Sequence, residues 1–156
     1  MKIIESPVHR DGRGLFLETW KGNYTQGNLS ISRPYVLRGL HYQIRKPQAK
    51  FMTCAAGSAI VCGLNLRTHL HELVLLDDIA CRSVLIPELH AVGFLALERG
   101  ATMVYALSGQ HDPTDDNAID ALDPDLAIQG PKFDYVRSPR DRVALRLRDV
   151  PRDRLP

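Results

Sequence analysis

Long apolar runs are what this sequence most plainly lacks. Its most apolar region, residues 83–97, is interrupted by Pro87, Glu88, His90 and Gly93, so no segment is suited to span a bilayer. The first residues, Met1 to Pro7, hold no apolar stretch of the length a secretory leader needs, and a cytoplasmic location is the expectation. Cysteine is scarce. Cys54, Cys62 and Cys81 are an odd count without metal-like spacing, and they read as reduced core residues rather than a disulfide framework. No sign of charge dominates either: 20 Lys and Arg against 18 Asp and Glu leave a formal net charge of +2. That is too little to argue for a nucleic-acid or membrane partner. With 156 residues, 44% of them hydrophobic and 24% charged, the chain has the size of one domain, residues 1–156, able to bury a core.

What is present is a series of short β-type segments separated by turn residues. Leu15 to Trp20 follows the turn Asp11-Gly12-Arg13-Gly14. Residues 36–43 and 51–55 flank a loop at 44–49 that contains Pro47. Residues 59–66 follow Gly57, and segments at 73–76, 83–86, 92–97 and 102–107 complete the set. The connections are too short for crossover helices, so the spacing predicts an all-β, antiparallel sandwich or barrel. One helical turn is expected over 123–128 and a short helix near 141–148. The tail arginines from Arg137 to Arg154 are interleaved with Asp141, Asp149 and Asp153 and have no aromatic platform. A solvated, mutually paired tail is expected there, not a nucleic-acid surface.

The stretch Leu37-Arg38-Gly39-Leu40-His41-Tyr42-Gln43 places a histidine in an otherwise apolar strand. Alternation sends Leu37, Gly39, His41 and Gln43 to one face. A lone inward histidine is more often a hydrogen-bonded core residue than a catalyst, and the residues alone leave both readings open. Lys50 falls on the side of Met52 and Cys54. An inward lysine is costly unless it meets an anion or a polar cavity; the other reading is a solvent-facing lysine at a strand end. Arg38 falls opposite His41 unless Gly39 marks a bulge that re-aims the chain. His69-Leu70-His71 has metal-compatible spacing, but it follows Arg67 where a hairpin tip is expected, and no metal site is expected.

The run RGLHYQ, with Lys50 nine residues after its histidine, resembles the signature of the dTDP-4-dehydrorhamnose 3,5-epimerases. Residues 11–18 are similar to that family's D-x-R-G-x-F-x-E segment, and residues 26–30 to its Q-x-N-x-S segment. Ile86-Pro87-Glu88 leads into Gly93-Phe94 as in its I-P-x-x-x-A-H-G-F run. Val104-Tyr105 precedes Asp112-Pro113, and Ser138-Pro139-Arg140-Asp141 resembles the tail motif. The resemblance implies an antiparallel jelly-roll (cupin-like) barrel. It implies an epimerase of a nucleotide-linked 4-keto-6-deoxy hexose in deoxysugar biosynthesis, with a dTDP-linked substrate inverted at C3, C5 or both.

The C4 carbonyl of such a sugar acidifies the neighbouring protons. Inversion removes a proton from one face and returns one to the other, which calls for a base, an acid across the ring and a cation near the enolate oxygen. By resemblance His41 is the base, Asp141 orients its ring, Lys50 stabilises the enolate and Tyr105 is the acid. Arg38 is implied in binding the phosphates, with Gln26, Asn28 and Gln43 as further substrate contacts. Arg13, Phe16 and Glu18 match residues that reach into a partner subunit's nucleotide site, which implies a homodimer. No cofactor is implied. Standing alone, Tyr105 would read as a core tyrosine and Asp141 as a surface partner of Arg140 or Arg142.

The chain departs from the family pattern at several positions. Val92 stands where a histidine is usual, Val61 and Asn65 where aspartates are usual, and Gln110 and His111 where aromatics are usual; Gly130-Pro131 replaces Trp-Pro. Two valines in place of a polar pair imply a shifted substrate or a single inverted centre, C3 before C5. A keto-sugar isomerase with the same proton-transfer residues, and a non-catalytic binding module, remain as alternatives.

Overall fold

The computed structural model describes residues 1–131 and 133–156. Among these the strands are β1 (Lys2–Glu5), β2 (Val8–Asp11), β3 (Gly14–Leu17), β4 (Gln26–Ser32), β5 (Leu37–Tyr42), β6 (Lys50–Asn65), β7 (His71–Asp77), β8 (Arg82–Ile86), β9 (His90–Leu107) and β10 (Asn117–Ala118). Helix is confined to α1 (Pro139–Arg142) and short 3₁₀ turns at Pro124–Leu126, Leu147–Asp149 and Arg152–Arg154. No described helix is long and apolar enough to cross a membrane.

Two long strands organise the sheet. β6 and β9 run antiparallel from the Lys50–Leu107 pair to the Asn65–His90 pair. Both change direction midway, where Gly57 and Gly100 have φ of +79° and +71°. A Cβ on Gly57 would lie 2.1 Å from the Gly100 carbonyl oxygen. Only a residue without a side chain fits, and the ladder slips register on either side of it. Each half of the pair then has its own neighbours. The start of β6 and the end of β9 join β8, β1 and β4; the other halves join β7, β5 and β10. The result is the antiparallel jelly-roll arrangement that was expected, with the strand order ending at β1 and β10. One apolar cluster, including Met52, Val61, Val84 and Met103, fills the space between the layers. A second, around Leu40, Tyr42, Leu64 and Ile119, is closed by the chain's end, where the Tyr42 hydroxyl donates to the Arg154 carbonyl at 2.9 Å.

Some elements differ from the sequence expectation. Residues 51–55 and 59–66 are one strand bent at Gly57, as are 92–97 and 102–107 bent near Gly100. The segment expected at 15–20 ends at Leu17 and pairs with β2 across the anticipated turn, Asp11 opposite Gly14. No helix spans 141–148. Ser138 caps and Pro139 opens α1 earlier, and the helix ends at Arg142. Among the described residues the ion pairs of the tail arginines also reach outside the tail. Arg137, Arg140 and Arg148 bind Asp120, Asp116 and Asp125 respectively, carboxylates that lie before the tail.

Candidate active site

A bulge in β5 puts two functional side chains on one side. Arg38 pairs with Phe94 of β9, but His41 pairs with Val92, so β5 carries an extra residue between them. Gly39 sits there at φ +105°, and a Cβ on it would lie 2.6 Å from the Gly93 Cα. A Cβ on Gly93 would in turn lie 2.5 Å from the Arg38 carbonyl oxygen. The two glycines let the strands approach while the extra residue resets the alternation. Arg38 and His41 consequently line the same cavity, and Leu40 and Tyr42 turn into the second core.

His41 Nε2 lies 2.6 Å from Asp141 Oδ1. Asp141 is buried, 2% exposed, where a carboxylate requires a partner. Its position follows from local chemistry. The Ser138 hydroxyl accepts from the Asp141 backbone N–H at 3.1 Å, and Pro139 pre-sets the first turn. Arg137 ties the same turn down, donating to the Asp141 carbonyl and, at 2.6 Å, to Asp120 Oδ1. Asp141 is therefore no surface partner of Arg140 or Arg142; Arg140 binds Asp116 instead.

Lys50 and Tyr105 face His41 from the long strands. Lys50 pairs with Leu107 and Met52 with Tyr105, so alternation sends the lysine and the phenol to one side. Lys50 Nζ donates to the His41 carbonyl at 3.1 Å. Burial pulls its pKa down to about 8, with nearby Asp116 opposing the drop. Burial raises the Tyr105 pKa, while Arg38 and a hydrogen bond from Asn28 draw it back. A phenol in that state keeps its proton at neutral pH and is able to donate it.

These three side chains form the waist of a two-lobed groove, since His41, Lys50 and Tyr105 line both lobes. One lobe, of about 690 Å³, is walled by arginines 33, 38, 137 and 140 together with apolar groups such as Val92 and Phe94. The Arg38 guanidinium is steadied by the Ser32 hydroxyl at 3.0 Å. The other lobe, of about 500 Å³, is lined by the amides of Gln26, Asn28, Gln43 and Gln48, with His111 and Asp116. Gln43 is nearly buried: its Oε1 accepts from the Asp112 backbone N–H at 3.0 Å, and its Nε2 has no hydrogen-bond partner.

Not every residue singled out from the sequence comes to the groove. Arg13, Phe16 and Glu18 sit on or just beyond the β2–β3 hairpin, away from both lobes. Arg13 binds Asp11, Glu18 binds Lys21, and Phe16 is 63% exposed beside His9. Val92 lines the first lobe, but Val61 is fully buried in the core below it, so the two valines do not both face a ligand. Asn65 caps the β6–β7 turn, accepting from the Arg67 and Thr68 N–H groups, and His69 lies in that hairpin tip. Among the described residues no three His, Cys, Asp or Glu side chains are grouped to hold a metal. Arg137, Arg140, Asp116 and Gln48 are site residues that sequence reasoning missed. The arginines looked like members of a solvated tail, and their position beside Asp141 was the available signal.

The profile of the dTDP-4-dehydrorhamnose 3,5-epimerase family matches residues 1–149. A dTDP-4-dehydrorhamnose 3,5-epimerase from Mycobacterium tuberculosis (strain ATCC 25618 / H37Rv) is 35% identical over 168 residues, covering 94% of this chain and 83% of the relative. A dTDP-4-dehydrorhamnose 3-epimerase from Streptomyces niveus is 35% identical over 157 residues, covering 90% of this chain and 76% of the relative. The crystal structure of a dTDP-6-deoxy-D-glucose-3,5-epimerase from Legionella pneumophila Philadelphia 1, in complex with dTDP-4-keto-L-rhamnose, superposes with a TM-score of 0.94. It is 31% identical, and the match covers 99% of this chain and 91% of that one. A bent antiparallel jelly roll, a His–Asp pair with a buried carboxylate and a match along nearly the whole chain agree: the chain belongs to the dTDP-4-dehydrorhamnose 3,5-epimerase family.

Proposed function

We propose that this single-domain protein epimerises a dTDP-linked 4-keto-6-deoxy sugar by moving a proton at a carbon next to the C4 carbonyl. One observation carries the reading: the His41–Asp141 pair, 2.6 Å apart, shares a cavity wall with Lys50 and Tyr105. His41 takes the proton, and Asp141 stabilises the imidazolium that forms. The electron pair released from the C–H bond moves to the C4 oxygen, where the Lys50 ammonium meets the developing negative charge. Tyr105 protonates the carbanion from the other face, and its phenolate regains a proton from solvent. The arginine-walled lobe suits a diphosphate, Arg38 making the contact implied by its place in the motif.

We further propose a homodimer in which the hairpin carrying Arg13, Phe16 and Glu18 completes the partner's nucleotide site. The exposure of Leu15, Phe16, Leu29 and Ile31 supports it, since these apolar side chains call for a cover. Three free, buried cysteines fit a reducing compartment, and we place the enzyme in the cytoplasm.

A second reading concerns the number of centres. Val92 puts an apolar, proton-inert group in the wall of the arginine lobe, and one relative is a 3-epimerase by name. Both favour inversion at C3 alone. Incubation with dTDP-4-keto-6-deoxyglucose in heavy water, read by mass and NMR spectra, tests these statements together. One deuterium at C3 supports the single-centre reading, and deuterium at C3 and C5 at comparable rates supports the double one. A displaced carbonyl means an isomerase, and no exchange means a binding module.

A further inference from the structure

Asp141 sits on a turn that has no apolar anchor. Within α1 it is the one buried residue; Pro139, Arg140 and Arg142 are exposed, and Val143, which follows, is 77% exposed. A single helical turn without an apolar face is not stable by itself, yet this one holds a carboxylate 2.6 Å from His41 Nε2. The anchor is polar. Arg137 Nη2 donates to Asp120 Oδ1 at 2.6 Å, and the same nitrogen donates to the Asp141 carbonyl oxygen. Asp120 is itself fixed to the strand of the base. Its neighbour Ile119 exchanges backbone hydrogen bonds of 2.9 and 3.0 Å with Leu40, the residue before His41. These links close a ring from His41 through Leu40, Ile119, Asp120, Arg137 and Asp141 back to His41. The Asp120 N–H also donates to the Leu145 carbonyl at 2.8 Å, but that bond fixes the chain four residues past Asp141, whereas Arg137 grips the turn at Asp141.

We propose that Asp120 is a positioning residue: by anchoring Arg137 it sets the Asp141 carboxylate on His41. The inference rests on the epimerase reading. The Arg137–Asp120 pair suits placement better than stability. Its side chains are 11% and 23% exposed, so both charges are largely stripped of water, and Arg137 Nε is buried without a hydrogen-bond partner. An ion pair in that state contributes little net stability. Asp120 lines neither lobe of the groove, so an effect of its removal on turnover passes through other side chains. Arg137 does line the arginine lobe, and substituting it would mix positioning with binding. The test is therefore made at Asp120.

The experiment compares wild type, Asp120→Ala, Asp120→Asn, Asp141→Ala and the Asp120→Ala/Asp141→Ala double variant. Steady-state kinetics use dTDP-4-keto-6-deoxyglucose, and proton NMR is recorded on the unliganded proteins. Asp120→Ala is expected to lower kcat by about 10- to 10²-fold and to leave KM within about twofold of wild type. In Asp120→Asn the amide oxygen still accepts from Arg137 but the charge is gone, so a loss of about threefold is expected. On the Asp141→Ala background Asp120→Ala is expected to cost nothing more, because no carboxylate is left to place. NMR reads the same contact without substrate. The downfield signal of the His41 Nε2–H that donates to Asp141 is identified by its absence from Asp141→Ala. In Asp120→Ala it is expected to move upfield and to exchange with water about tenfold faster. An unchanged kcat or an unmoved signal in folded Asp120→Ala overturns the proposal. So does a raised KM with kcat intact, or an equal loss of kcat on the Asp141→Ala background. If Asp120→Ala does not fold, Asp120→Asn decides: wild-type kcat with an unmoved signal overturns the proposal. A wild type whose signal depends on Asp120 but which turns over no substrate supports the positioning role and sinks the epimerase reading instead.

Discussion

Lys50→Met is expected to make the protein more stable and inactive at once. Burial lowers the Lys50 pKa from 10.5 to about 8, which corresponds to a penalty of about 3 kcal/mol on the charged form. Methionine has a similar shape and carries no charge, so it removes that penalty. It also leaves the His41 carbonyl, now bonded by Lys50 Nζ at 3.1 Å, without its donor, at a cost of about 1 kcal/mol. The net gain at neutral pH is about 2 kcal/mol, or a rise in Tm of about 4–8 °C for a chain of this size. The pH dependence is the sharper test. Unfolded, the lysine holds its proton up to about 10.5; folded, up to about 8. Between these values the unfolded chain binds more protons, so wild-type stability rises with pH there. The variant's advantage is therefore full below pH 8 and gone above about 10.5. Urea denaturation of both proteins at pH 7 and pH 10.5 measures it. A variant less stable than wild type at pH 7, or a difference that is the same at both pH values, refutes the reasoning.

Asp141→Asn is expected to lower kcat by about 10²- to 10⁴-fold with little change in KM, because the imidazolium loses its counter-charge; steady-state kinetics decide. The wild-type kcat/KM is expected to fall as pH rises through about 8, where free-enzyme Lys50 loses its proton, and the matching limb of kcat should lie higher because the bound diphosphate holds that proton. Mixing His41→Ala with Arg13→Ala should recover activity equivalent to about a quarter of the wild-type sites, because half the dimers are hybrids with one intact site; no recovery after subunit exchange counts against the crossing hairpin.

The strands that carry the site were legible because their inward faces are apolar and their ends are marked by turn residues. The continuity of β6 and β9 was not. Gly57 looks like a break in sequence, but here it marks a bend inside one strand, a distinction set by how closely the Gly100 carbonyl approaches. β4 was invisible for the opposite reason: it is inside out, with Leu29 and Ile31 64% and 74% exposed and amides and hydroxyls turned inward. β1 and β2 are four residues each, too short for a periodicity to register. In the site, His41 and Lys50 were ambiguous as isolated residues, and it was the ordered motifs around them that pointed to a catalytic role. The bulge at Gly39 followed from requiring Arg38 and His41 on one side. Arg137 and Arg140 escaped notice because their partners, Asp120 and Asp116, come from a loop brought near only by the fold. Val61 was grouped with Val92 by family pattern, but only the fold tells that one lines the groove and the other lies beneath it.

The central claim is that His41 is the base. It is tested most directly by deuterium incorporation into dTDP-4-keto-6-deoxyglucose in heavy water, comparing wild type with His41→Ala at saturating substrate. Wild type is expected to incorporate deuterium next to the carbonyl, and His41→Ala to do so about 10²- to 10⁴-fold more slowly while still binding dTDP. Incorporation by His41→Ala at the wild-type rate would mean that another group removes the proton, and would contradict the account.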